Sequence, residues 1–111
     1  MADLLAQHCR PQVTAMDAAE LNRQLGSVQG WVSSGNAIEK TFRFGGWLET
    51  MAFLNAVAWL CHIEDHHPDA RVGFDRCVLR FSTHSVGGVS LNDLICAARV
   101  DALLPSGSRS A

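Results

Sequence analysis

The stretch WVSSGNAIEKTFRFGGW, Trp31 to Trp47, decides the fold. Trp31-Val32 and Ala37 to Phe44 read as two strands joined by Ser33-Ser34-Gly35-Asn36, a run of turn formers. In the second arm Ile38, Phe42 and Phe44 share one face, and Glu39, Thr41 and Arg43 share the other, as expected of a half-buried strand. Lys40 falls on the apolar side, which predicts an edge position or an imperfect alternation. Gly45-Gly46 then opens a long helix through about Glu64. Leu48, Met51, Ala52, Asn55, Val57, Ala58 and Trp59 leave that helix with only a thin polar stripe, which predicts burial on more than one side.

Working outward, the helix must stop at His66-His67-Pro68, because proline biases the residue before it away from helical geometry. Ala70 to Phe74 and Cys77 to Thr83 read as a second hairpin with Asp75-Arg76 at its turn. Cys77, Leu79 and Phe81 face one way along it, and Val78, Arg80 and Ser82 the other. Gly87-Gly88 forms a loop, and Ser90 with Asp93 gives the capping box of a last helix. Its core face would use Leu91, Leu94, Ile95, Ala98 and Leu103, and Pro105 ends it. Upstream, Asp17-Ala-Ala-Glu20 has N-cap and N3 spacing for a short helix to about Leu25. A loose lead-in over 1–16, a domain over 17–104 and a disordered tail over 105–111 complete the division. The order α-β-β-α-β-β-α predicts a single α+β domain, a four-stranded antiparallel sheet with three helices on one face. The open sheet face and the apolar central helix predict self-association, as a homodimer or homotetramer.

With 111 residues, 48% of them apolar and 18% charged, the chain supports one compact core and is not disordered. A net charge of −2 without a Lys/Arg stripe argues against nucleic acid as a direct partner. Apolar stretches fall short of the roughly 20 residues that a membrane span needs, and MADLLAQHCRPQ lacks a signal peptide's basic start and apolar run. Cys9, Cys61, Cys77 and Cys96 form no C-x-x-C pair and fit neither a zinc module nor a disulfide framework. They read as buried free thiols in a reducing compartment, hence a cytoplasmic protein.

Four of the five histidines, His62, His66, His67 and His84, fall within 23 residues. Histidine titrates nearest neutrality, so such a cluster suits proton transfer at pH 7. His62 and His66 are four apart, on one face of a helix end, and a strand end at His84 beside them would bring all four to one pocket. Two other readings stand beside this one. A His-x-x-x-His pair can hold zinc with Glu64 or Asp65, although Ile-Glu-Asp between them is not the metalloprotease pattern. Histidines also cap helix C-termini, where the dipole favours a cation, and Asp93 is explained by its capping geometry alone.

The pattern His62, three residues, His66-His67-Pro68, five residues, Phe74, nine residues, His84, eight residues, Asp93 resembles that of the pterin-4a-carbinolamine dehydratases. Gly30-Trp31, Phe42-Arg-Phe44, Ser82-Thr83-His84 and Gly87-Gly88 extend the resemblance over about Asp17 to Leu104. It implies an enzyme, a hydro-lyase that dehydrates 4a-hydroxytetrahydrobiopterin or a related pterin to a quinonoid dihydropterin and water. That step would allow the tetrahydropterin used by aromatic amino acid hydroxylases to be recycled. Neither metal nor organic cofactor is implied. His66 and His84 would be the acid/base pair, with His67, the third catalytic histidine, binding and orienting the pterin. Pro68, Thr83, Ser85 and Val86 would offer backbone groups to its amide edge, and Trp31 an aromatic wall. His62 and Asp93 complete the substrate-binding set; His62 stands where the best-known members carry glutamate. The resemblance favours the enzyme but also extends to dehydratase-like relatives that act as transcriptional coactivators or as RuBisCO assembly factors, which gives the alternative function, a non-catalytic binding role.

Overall fold

The structure, a computed structural model, describes residues 3–105; of the tail expected over 105–111, residues 106–111 lie outside them. Helix α1 spans Ala18–Leu25, its N-terminus closed by the Asp17 carboxylate, which accepts the Glu20 N–H at 2.8 Å. Strands β1 (Val32–Ser34) and β2 (Ala37–Arg43) form the first hairpin, and α2 follows over Trp47–Glu64. Strands β3 (Asp69–Val72) and β4 (Arg76–Phe81) form the second hairpin, and α3 runs over Leu91–Asp101. The turn of that second hairpin falls at residues 73–75, one residue earlier than the sequence predicts. Gly73 N–H bonds the Arg76 carbonyl at 2.8 Å, so Arg76 already belongs to β4.

The four strands pair antiparallel in the order β1-β2-β4-β3, the expected α+β sheet. The β2–β4 register sets Ile38 opposite Phe81, Lys40 opposite Leu79 and Phe42 opposite Cys77. Those residues are buried beneath the helices, where they meet Val57, Cys61, Leu94, Ile95 and Val100. Lys40 is therefore neither at an edge nor out of register. Its aliphatic stem crosses the core, and its ammonium meets the Asp101 carboxylate and the Gln29 carbonyl, each at 2.9 Å. Gly30, at φ 87°, makes room: a Cβ there would sit 2.9 Å from Lys40 Cε.

Two expectations about the helices are corrected. Helix α2 buries Thr50, Phe53, Val57, Cys61 and Glu64 on one side only. Leu48, Trp59 and Ile63 on its outer side are 83%, 69% and 69% exposed, so a single chain does not cover it. In α3 the core face is Leu94, Ile95, Cys96, Ala97 and Val100. Leu103 is exposed because the helix ends at Asp101 and the chain turns there.

The segment ahead of α1 is not loose. Leu4 is buried, and Met16 N–H bonds the Val89 carbonyl at 2.8 Å. Between them the chain lies as a strap across the C-terminus of α2 and along α3. The Glu64 carboxylate accepts from Cys9 N–H at 2.7 Å and meets His8 Nδ1 at 2.8 Å. Burial pushes the Glu64 carboxyl up, but the Cys9 N–H, His8 and Arg99 outweigh it and hold it below the usual range. Asn92 grips Arg10 from both sides, accepting its N–H at 3.0 Å and donating to its carbonyl at 2.7 Å. Arg99 Nη2 donates to the Gln7 carbonyl at 2.6 Å. All four cysteines are free thiols, three of them buried. Among the described residues no helix is long and apolar enough to cross a membrane.

Candidate active site

The site begins where α2 ends. Asp65 caps it in the left-handed region at φ 53°, and the His66 N–H reaches back to the Cys61 carbonyl at 3.2 Å. This turn breaks the helical phase before His66. His62 and His66 consequently do not share a face, as their spacing suggested. His62 stays on the outer side of α2, its ring edge-on to Trp59 at 5.9 Å, and with Trp59 lines a shallow separate depression.

His66 is carried under the loop after β4 instead. Its side chain is 13% exposed, and its Nε2 lies 2.6 Å from Oδ1 of Asp93, whose side chain is fully buried. The ring stacks over Phe81 with centroids 6.1 Å apart and planes 9° from parallel. Asp93 Oδ2 accepts from Thr83 Oγ1 at 2.8 Å and from the Ser90 N–H at 2.9 Å. The Thr83 proton is thus committed to Asp93, so Ser90 Oγ donates to Thr83 Oγ1 at 2.7 Å and in turn accepts the Asn92 N–H at 3.2 Å. Every bond in the chain runs toward the carboxylate. Asp93 therefore does two jobs, closing the capping box of α3 and holding His66, where the sequence required only the first. A carboxylate so surrounded by donors accepts Nε2–H and leaves Nδ1 of His66 as the free nitrogen.

His66, His67 and His84 line one cleft of about 370 Å³, together with Asp65, Thr83, Ser85 and Asn92. The imidazoles of His67 and His84 are exposed. The wall opposite comes from the strap, through Arg10, Pro11 and Val13. Those three and Asn92 carry no sequence signal for the site, since the strap has neither periodicity nor motif. Other expected residues lie elsewhere. Trp31 is 3% exposed, wedged against Phe42 and Phe81, with its indole N–H spent on the Asp101 carboxylate at 3.1 Å. Pro68 and Val86 flank the lining without joining it, and Asp93 sits behind His66, out of reach of a ligand. Phe74 is exposed near the start of α2, 3.7 Å from where a Gly46 Cβ would lie. Among the described residues, no three His, Cys, Asp or Glu side chains converge as metal ligands would.

Fold and cleft together define a small α+β domain with a histidine–carboxylate pair at the mouth of a ligand-sized pocket. Residues 14–103 match the family model described as pterin 4 alpha carbinolamine dehydratase, and the chain belongs to that family, whose enzymes are hydro-lyases. A Stenotrophomonas maltophilia relative, provisionally named pterin-4-alpha-carbinolamine dehydratase, is 51% identical over 111 residues, covering 93% of this chain and 96% of its own. A Brucella melitensis structure described as a transcriptional coactivator/pterin dehydratase superposes with TM-score 0.78 at 26% identity. It covers 83% of this chain and 100% of its own. A pterin dehydratase-like protein described as a RuBisCO assembly factor in the alpha-carboxysome superposes with TM-score 0.56 at 30% identity, covering 71% and 89%.

Proposed function

We propose that this chain dehydrates a 4a-hydroxytetrahydropterin, such as 4a-hydroxytetrahydrobiopterin, to the quinonoid dihydropterin and water. The observation that carries this reading is the buried Asp93 carboxylate holding His66 at 2.6 Å beside a cleft shared with His67 and His84. Asp93 stabilises a positive charge on His66, which suits His66 to take the proton from N5. As the N5–C4a double bond forms, the C4a–O bond breaks, and His84 delivers a proton to the departing hydroxyl, which leaves as water. His84 is exposed and recovers its proton from solvent. His67 binds and orients the ring, and the backbone around Thr83 and Ser85 offers groups to its amide edge. The reaction needs no redox step and no organic cofactor. It would take up the carbinolamine released by an aromatic amino acid hydroxylase and leave a dihydropterin for a separate reductase, in the cytoplasm, where buried free thiols persist. Chemically generated 4a-hydroxytetrahydropterin should lose its absorbance faster with the protein than without it; no acceleration would overturn the proposal.

We also propose self-association through the outer side of α2. Leu48, Ala52, Asn55, Trp59 and His62 recur there at alternating spacings of four and three, the seam of paired helices. Light scattering should report a dimer or tetramer, and Trp59→Arg should shift it toward monomer; a monomeric wild type would refute this. The same exposed face also favours a second reading, a non-catalytic binding protein like the RuBisCO assembly factor. Turnover in the dehydration assay would decide against it.

A further inference from the structure

The cleft has a wall that the family match does not include. Arg10, Pro11 and Val13 line it, yet the matched segment begins only at residue 14. This wall is built rather than incidental. The Arg10 backbone is clamped at both its N–H and its carbonyl by Asn92, which is 5% exposed. One residue before, the Cys9 N–H is fixed to Glu64, whose side chain is 2% exposed. The strap therefore sets where the Arg10 side chain starts. Its guanidinium is exposed, and among the described residues it has no hydrogen-bond or ion-pair partner. Asp65 lines the same cleft, but no ion pair joins the two.

A guanidinium offers five donors and no acceptor, in a fork that fits a carboxylate or phosphate. The pterin ring carries no such group, and the histidines already serve it. At about 370 Å³ the cleft is near the lower end of ligand pockets, roughly 300–1,000 Å³. A bicyclic ring leaves part of this space free for a ring substituent, and Arg10 lines the same cleft with an exposed side chain. We propose that Arg10 is a specificity-determining residue that binds an anionic oxygen group, carboxylate or phosphate, on the substituent of the pterin ring. The inference rests on the pterin reading of the cleft and deepens it.

The test compares three dihydropterins, bearing at C6 a methyl, a carboxylate or a phosphorylated hydroxymethyl group, by equilibrium binding to wild type, Arg10→Gln and Arg10→Lys. Wild type should bind at least one of the anionic ligands more tightly than the methyl one, and the carboxylate and phosphate arms show which anion is preferred. Arg10→Gln should cut that preference by about two- to fivefold, the expected loss of one solvent-exposed charge-assisted pair. Arg10→Lys should recover part of it, and added salt should erode it in wild type far more than in Arg10→Gln. Equal weakening of all three ligands, or no anionic preference in wild type, would overturn the role of Arg10. Dehydration of the 6-methyl 4a-hydroxy substrate is measured separately in wild type. If turnover is absent while the binding preference stands, the catalytic reading falls and the Arg10 assignment survives; turnover without preference gives the reverse.

Discussion

Helix α3 presents a carboxylate at each end to a cluster of polar and aromatic side chains, and the two clusters have opposite characters. At its C-terminus, Asp101 accepts from Trp31 Nε1 and from Lys40 Nζ, and Lys40 gives its other short bond to the Gln29 carbonyl. The ammonium also lies 5.0 Å from the Phe42 ring centroid. A carboxylate there opposes the helix dipole, so the lysine is needed as a counterion. The Trp31 N–H and two of the Lys40 ammonium's donors end inside the cluster. At the N-terminus, Asp93 sits with the dipole and gathers Ser90 N–H, Thr83 Oγ1 and His66 Nε2. That chain of bonds ends on an imidazole whose second nitrogen is uncommitted beside a cleft. Burial of polar groups is common to both; only the second borders the cleft that His67 and His84 also line.

Four experiments break or sharpen this contrast. The largest effect belongs to His66→Ala and His84→Ala, each expected to cut kcat by about 10²–10⁴-fold, the range for lost proton transfer. The double variant should be no slower than the worse single if the two act as one unit. A loss of only a few-fold with an unchanged melting temperature would make the Asp93 cluster as structural as its counterpart. Next comes Asp101→Ala, which strands the Lys40 ammonium at 9% exposure. Calorimetry should show a destabilisation of about 3–5 kcal/mol, with turnover per folded molecule retained, and Lys40→Met combined with Asp101→Leu should recover only part of it, because the Trp31 N–H still loses its acceptor. A large fall in kcat of the folded fraction would show that this cluster also serves the reaction. Third, steady-state kinetics of His67→Ala should show KM rising by more than kcat falls; a pure kcat defect would move His67 into the proton-transfer step. The smallest effect is expected at His62, one turn before His66 but outside the cleft. His62→Ala should stay within about threefold of wild-type kcat/KM, under ~0.7 kcal/mol, and His62→Glu should match or exceed it. A loss comparable to His66→Ala would mean that the outer face of α2 takes part in the chemistry.

The parts of this molecule that local rules govern were legible from its residues. Asp17 and Ser90 cap helices as their side-chain chemistry requires, both hairpins follow the alternation of Ile38–Phe42 and Cys77–Phe81, and His66, His67 and His84 do meet. What escaped depends on contacts distant in sequence. The strap is held by Glu64, Asn92 and Arg99, side chains 55 to 94 positions away, bonding to main-chain groups that have no residue identity. Only the resemblance predicts Trp31 as a pocket wall; its partners Phe42, Phe81 and Asp101 are 11, 50 and 70 positions away, and they hold it in the core. His62 and His66 look coplanar on a helical wheel, but a single left-handed residue, Asp65, ends the wheel between them. Uniform apolarity along α2 shows that both sides avoid water without telling which of them its own chain covers.

The strap has a consequence for the order in which the protein is made. Its anchors at Glu64, Asn92 and Arg99 are synthesised long after residues 5–10 have left the ribosome. Until α3 emerges, His66 has no Asp93 to hold it and the cleft has no opposing wall. Such late, non-local closure makes the wall slow to form relative to the hairpins. A chain that stops before α3 therefore carries the three histidines but neither the carboxylate that holds His66 nor the side chain that clamps Arg10.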